Sequence, residues 1–171
     1  MSVDIQVVPA GTWSIDKVHS TIGFAVDYMA GTFQGSFGDV DAELNDGVVR
    51  GSAKVSSIQV NDPNLAGHLQ APDFFDAERH PEVTFSGTPA APGRFEGNLT
   101  IKGVTRPATL EGTVTGPVTD PYGNERYGLS LTTVVDRTAF GLDWNAPLPG
   151  GGFALANDVT LKAELSLVKA A

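Results

Sequence analysis

Between Phe95 and Thr115 the chain keeps one period across a reversal of direction, FEGNLTIKGVTRPATLEGTVT, and no other stretch constrains the fold as much. Phe95, Gly97, Leu99 and Ile101 share one parity, and Glu96, Asn98, Thr100 and Lys102 share the other. That is the pattern of a half-buried strand, in which successive side chains point to opposite faces. Gly103 breaks the run. Beyond Arg106-Pro107 it resumes, with Ala108, Leu110, Gly112 and Val114 set against Thr109, Glu111, Thr113 and Thr115. Two such runs joined by a turn containing Gly and Pro predict an antiparallel hairpin with one apolar face.

The same period recurs along the chain. Trp13 and Ile15 share a face, and Ile22, Phe24, Val26 and Tyr28 make the next apolar stripe. Residues 33–44 read as one strand whose phase slips from Phe33 and Phe37 to Val40, Ala42 and Leu44, as an inserted residue near Gly38-Asp39 would cause. Asn45-Asp46-Gly47 predicts a hairpin turn, and residues 48–60 a strand that bends before Ile58 and Val60. Asp62 as cap, Pro63 in the first turn and Leu65 with Leu69 on one face predict a short helix that Pro72 stops. With Phe74 and Phe75 behind it, this insertion lies either across a barrel opening or on the barrel's outside. Short strands follow at 82–87 and 127–135, with loops at 89–93 and 119–124, and a single turn at 137–141. Residues 144–153, with Gly150 to Gly152, read as a rim loop and not a phosphate cradle, since no Lys-Ser or Lys-Thr and no helix follow. Residues 158–168 alternate throughout and are expected to close the sheet against the first strand.

These runs, with hairpin-length links and no repeating strand–helix units, predict an all-β fold. We expect an antiparallel barrel of about eight strands with a short helical insertion. The chain divides into an N-terminal arm over residues 1–11 and a single barrel domain over 12–171. Such a barrel either is filled by side chains or holds one small ligand. Its inward list mixes Phe24, Phe85, Phe95 and Leu131 with Ala53, Gly97, Ala108, Gly112 and Ala163, and small residues fit both a void and tight packing.

Composition narrows the functions. With no cysteine among 171 residues, thiolate chemistry and disulfide scaffolds are excluded. A formal charge of −9 disfavours nucleic acid and stable docking on anionic membranes, leaving only transient membrane contact. The start carries no secretory signal pattern, so the expected location is cytoplasmic, or periplasmic or secreted if a leader has been removed. His19, His68 and His80 lack metal-site spacing, and neither a nucleophile elbow nor a nucleotide loop is present. We therefore assign no metal, no cofactor and no catalytic residue, and expect a protein that is not an enzyme.

Several motifs resemble the YceI-like family. They are Trp13-Ser14-Ile15-Asp16 with His19-Ser20, Gly67-His68-Leu69 before Asp73-Phe74-Phe75-Asp76, and residues 99–107, LTIKGVTRP. Asp120-Pro121-Tyr122-Gly123-Asn124 and residues 137–145, RTAFGLDWN, complete the set in family order between Thr12 and Val168. The resemblance implies an extended lipocalin-like barrel that binds a polyisoprenoid chain, such as that of an isoprenoid quinone, in its lumen. The expected partner is thus a long-chain isoprenoid lipid, bound and carried, and a homodimer is left open. The competing reading is a ligand-free structural or stress-associated barrel; an isoprenoid-modifying enzyme ranks below both.

Parity then supplies the ligand-binding candidates. Trp13, Ile22, Phe24, Val26, Phe85, Phe95, Leu99, Leu110, Leu129, Leu131 and Leu161 are expected along a tunnel. Leu69, Phe74, Phe75, Phe140 and Trp144 are expected around its opening. His19, His68 and Arg137 are candidates for a polar mouth, set against the plainer role of fastening loops to the barrel. Arg137 with Asp136 is a candidate structural pair. Phe at Ala163 or Gly112 is expected to block the guest without unfolding the protein.

Overall fold

The computed structural model describes residues 10–170. The predicted arm lies outside these except for Ala10 and Gly11. Among the described residues eleven strands form one antiparallel sheet: β1 (Thr12–Ile15), β2 (Thr21–Tyr28), β3 (Gly31–Phe37), β4 (Val40–Asn45), β5 (Val48–Lys54), β6 (Ile58–Gln59), β7 (Glu82–Ala91), β8 (Arg94–Ile101), β9 (Val104–Thr119), β10 (Glu125–Asp136) and β11 (Leu155–Lys169). The order β1-β4-β5-β7-β8-β9-β10-β11 returns to β1, where Trp13 faces Lys169, and so closes a barrel of eight strands. The last strand does close the sheet against the first. β2, β3 and β6 continue the ladder from β11 at one end.

The phase slips mark corners, not a single inserted residue. Residues 33–44 split at Gly38-Asp39 into β3, which pairs with β2 and β6, and β4, which pairs with β1 and β5. Each neighbour bends at the same level: 3-10 turns at Lys17–His19 and Val55–Ser57 separate β1 from β2 and β5 from β6. The Gly38 N–H donates to the Ser57 carbonyl at 2.9 Å and the Lys54 N–H to the Asp39 carbonyl at 2.9 Å, so the corners are stitched together. Three bent ribbons therefore stand beside five straight strands, which leaves β6 unpaired with β7 at the upper end.

Two turns differ from the sequence expectation. The β8–β9 hairpin closes through Lys102 and Gly103 alone, with φ of +52° and +75°, the twisted two-residue turn that suits a right-handed ribbon. Pro107 lies inside β9 opposite Asn98 and is no part of the turn. β7 runs through Pro89 to Ala91, because a register shift between those residues accommodates the missing N–H.

The helix α1 (Pro63–Gln70) forms as predicted, with the Asp62 carboxylate accepting the Asn64 N–H. It packs Leu65, Ala66 and Leu69 against the upper core, with Leu69 buried. The core falls into two clusters. The lower one packs Trp13, Leu44, Phe95, Leu131 and Leu167 against one another; the upper one rings an open space with Phe37, Leu69, Phe74, Leu99 and Phe140.

Candidate functional site

The upper space is a cavity of about 310 Å³. β2 contributes Phe24, Val26 and Tyr28 on one parity, and β11 contributes Leu155, Val159 and Leu161 on the facing one. The helical insertion lies across the opening, giving Leu65, His68, Leu69, Phe74 and Phe75. Below it a chamber of about 90 Å³ continues inward past Ile22, Phe85, Leu99, Leu110, Leu131 and Ala163. Phe37, Val83 and Leu161 border both spaces and form the neck between them.

Most sequence candidates meet here. Phe24, Val26, Leu69, Phe74, Phe75, Trp144 and Leu161 line the upper cavity, while Ile22, Phe85, Leu99, Leu110 and Leu131 line the lower chamber. Trp13, Phe95 and Leu129 do not face open space; they belong to the filled lower core, where Trp13 meets Tyr127 edge-on at 4.9 Å. Phe140 is buried in the upper cluster without facing the cavity. Ile101, Val135 and Val159 share parity with named candidates on their own strands and could have been found by extending each stripe to its end, while Phe33 and Phe37 form the apolar stripe of β3, from which no candidate was drawn. Leu142 follows the turn at 137–140 and carries no periodic signal.

Polar groups are few at the cavity and are mostly committed. Arg137 is 5% exposed and fans over four backbone carbonyls: Nε reaches Ala156 at 2.8 Å, Nη1 reaches Leu142 and Trp144 (the latter at 2.9 Å), and Nη2 reaches Leu155 at 3.4 Å. Burial pushes its pKa down, but a guanidinium stays charged at neutral pH. Asp136 makes no direct ion-pair contact with it, contrary to the sequence expectation, although each charge favours the other. That carboxylate instead accepts the Thr138 N–H at 2.9 Å and hydroxyl at 2.6 Å, capping the turn Arg137–Phe140. His68 stacks edge-on against Phe74 and Trp144, with ring centroids 5.0 and 5.3 Å away, and its Nε2 lies 3.8 Å from an Asp73 carboxylate oxygen. Lys102 Nζ donates to the Pro72 carbonyl at 2.7 Å, and Arg106 Nε to the Ala139 carbonyl at 3.3 Å. These motif residues fasten the rim segments to the barrel. Among the described residues no group of three or more His, Asp or Glu is placed to hold a metal ion.

His19 is not at the mouth. Its side chain is 69% exposed, with Nδ1 2.8 Å from Asp16 Oδ2, and it borders neither space. Asp16 also accepts Arg126 Nη1 at 2.8 Å, while Arg126 Nε donates to Asp120 at 2.8 Å. Asp120 in turn accepts the N–H groups of Tyr122 and Asn124, which shapes the β9–β10 turn. Arg126, aided by the Asn124 N–H, holds the Asp120 carboxyl down at about 2, and Arg126 with His19 holds Asp16 well below the usual carboxylate range.

A carboxyl whose folded-state pKa is depressed stabilises the fold above its unfolded value, 3.8 here, and loses that contribution as pH falls through the folded value. Arg126→Met removes the main cause of both depressions. The difference in melting temperature between wild type and this variant is therefore expected to be full at neutral pH and to shrink below about pH 4. A difference that stays constant from pH 7 to pH 2 would show that the cluster contributes no linkage.

Known proteins place this architecture. Solved structures with the same fold include BcnA of Burkholderia cenocepacia, at a TM-score of 0.69 and 20% identity, covering 89% of this chain and 98% of that one. Another is a polyisoprenoid binding domain from Saccharophagus degradans implicated in plant cell wall breakdown, at 0.68 and 10%, covering 92% and 98%. In sequence, a UPF0312 protein of Staphylococcus aureus strain USA300 is 28% identical over 160 residues, 88% of this chain and 94% of that protein. The model of the YceI-like domain matches residues 13–167, nearly the whole barrel from Trp13 in β1 to Leu167 in β11, and the chain belongs to that family.

Proposed function

We propose that this barrel binds the apolar chain of an isoprenoid lipid in its upper cavity and carries it in exchangeable form. The observation that carries the reading is a 310 Å³ space walled almost wholly by aromatic and branched aliphatic side chains, with polar groups confined to Tyr28, His68 and Arg137. An apolar cavity of this kind stays dry and accepts apolar guests. The polyisoprenoid binding domain from Saccharophagus degradans shares the fold, which supports the choice of guest.

Burying a carbon from water is worth about 0.8 kcal/mol, so a five-carbon unit contributes roughly 3 to 4 kcal/mol. From a bilayer the same unit is already out of water, and transfer is close to neutral, set by packing and by ordering of the chain. Exchange with membranes thus fits better than permanent storage. On this reading no reaction is assigned: Arg137 is committed to backbone carbonyls, and His68 packs on Phe74 and Trp144 beside Asp73.

Mass spectrometry of solvent extracts from native protein is expected to find a prenyl lipid. Val159→Trp places an indole in the cavity, and it is expected to weaken displacement of 1-aminoanthracene by farnesol at least about tenfold. Its melting temperature should stay within about 5 °C of wild type. A wild-type protein from which no prenyl compound displaces the fluorophore, and whose extracts are empty, would leave the ligand-free barrel as the better reading.

A further inference from the structure

We infer that the filled lower half of this barrel is a chain-length stop, so that the lumen holds about three isoprene units and no more. The inference rests on the isoprenoid-binding reading above and adds to it the size of the guest. A cavity of about 150 Å³ accepts one benzene, six carbons. On that scale the 310 Å³ upper cavity holds about twelve carbons, two to three units, and the 90 Å³ chamber below the neck about one unit more or slightly less.

Beneath the chamber the barrel interior is packed with side chains. Ala42, Val49, Leu131 and Leu165 of the lower cluster border the chamber, and packed with them Phe95 and Leu44 are 0% exposed, Leu167 is 1% exposed, and Trp13 meets Tyr127 edge-on. These side chains touch one another inside closely paired strands. Making room for a fourth unit would require vacating a packed core, which costs far more than a rotamer change. A longer chain must therefore leave its remaining units outside the mouth.

Ala163 sets the volume of the last step. It lines the chamber opposite Ile22 and Leu131, so its methyl is where a larger side chain would take up the space. The test measures displacement of 1-aminoanthracene from the full chain by geraniol, farnesol, geranylgeraniol and solanesol, which carry two, three, four and nine units. For wild type, affinity is expected to rise about tenfold or more from two units to three, and to change less than about threefold from three to nine. In Ala163→Phe the three-unit alcohol is expected to lose about tenfold while the two-unit alcohol is unchanged. Ala163→Leu serves the same purpose, with a smaller loss, if the Phe variant does not fold.

Affinity that climbs with every added unit through nine would overturn the stop while leaving isoprenoid binding intact. So would equal losses for the two- and three-unit alcohols in the Ala163 variants. Failure of all four alcohols to compete would instead sink the binding reading itself.

Discussion

Gly112→Ala is expected to destabilise the protein by about 3 to 5 kcal/mol, and Gly112→Val to leave no folded protein. Gly112 sits in β9 opposite Leu131 of β10. A Cβ built there would lie 1.7 Å from the Ser130 carbonyl oxygen and 3.1 Å from the Leu131 Cα. Those are backbone atoms of the paired strand, so relief requires separating β9 from β10 in the wall of the barrel, and Phe at Gly112, expected from the sequence to leave the protein folded, does not fit there. Gly97 is in the same position in β8, where a Cβ would stand 1.9 Å from the Ser86 carbonyl oxygen and 2.5 Å from the Gly87 Cα. Since total stability is on the order of 5 to 15 kcal/mol, even the single methyl takes much of it. Gly150→Ala is the control: nothing lies within 4 Å of the added carbon, and its denaturation midpoint in urea should match wild type. An unchanged midpoint for Gly112→Ala would mean that the two strands are not held this closely.

This close approach also shows what alternation reveals and what it hides. Small residues on the inward face are consistent with a void or with close packing, and both occur here: Ala163 borders open space, while Gly97 and Gly112 mark strands in near contact. Parity states which side a residue faces. It carries no measure of depth, so Trp13 and Phe95, on inward stripes like Phe24, proved to be the plug of the lower core.

The helix was legible because Asp62, Pro63, Leu65 and Leu69 act through local geometry. The corners were legible only as slips of phase, since a corner at Gly38 exists because the neighbouring ribbons bend at the same level, a long-range match that no local window contains. The β8–β9 turn was misplaced for a related reason: Lys102 adopts positive φ in a two-residue hairpin, although lysine is no turn former, and Pro107 then falls inside the strand. His19 and His68 both belong to family-like motifs, yet one is exposed beside Asp16 and the other packs at the cavity between Phe74 and Trp144. Only the closed barrel separates them.

Arg137→Met is expected to cost about 3 to 5 kcal/mol and to open the cavity mouth, with Arg137→Lys recovering less than half of that loss. The guanidinium lies under the rim and joins three stretches of chain: the turn that carries it, the segment at Leu142 and Trp144, and the start of β11 at Leu155 and Ala156. Methionine preserves length and apolar bulk but donates nothing, so carbonyls held by a buried charge lose their partner at roughly 1 to 3 kcal/mol each, partly offset where water can enter at the rim. A lysine ammonium brings three donors from a single point and cannot span four acceptors fanned around a planar fork. Leu142, Trp144 and Leu155 all line the cavity, so loosening the carbonyls that position them should weaken ligand retention along with stability. Two measurements separate this from simple loss of charge. Tryptophan emission should shift to the red as Trp144 gains solvent, and amide exchange should quicken at Ala154 and Leu155, whose N–H groups donate to Ala146 and Asn145 across the same loop. If Arg137→Lys instead matched wild type in urea midpoint, emission and exchange, a single positive charge would suffice at the rim, and the four-carbonyl fan would not be what holds the mouth in shape.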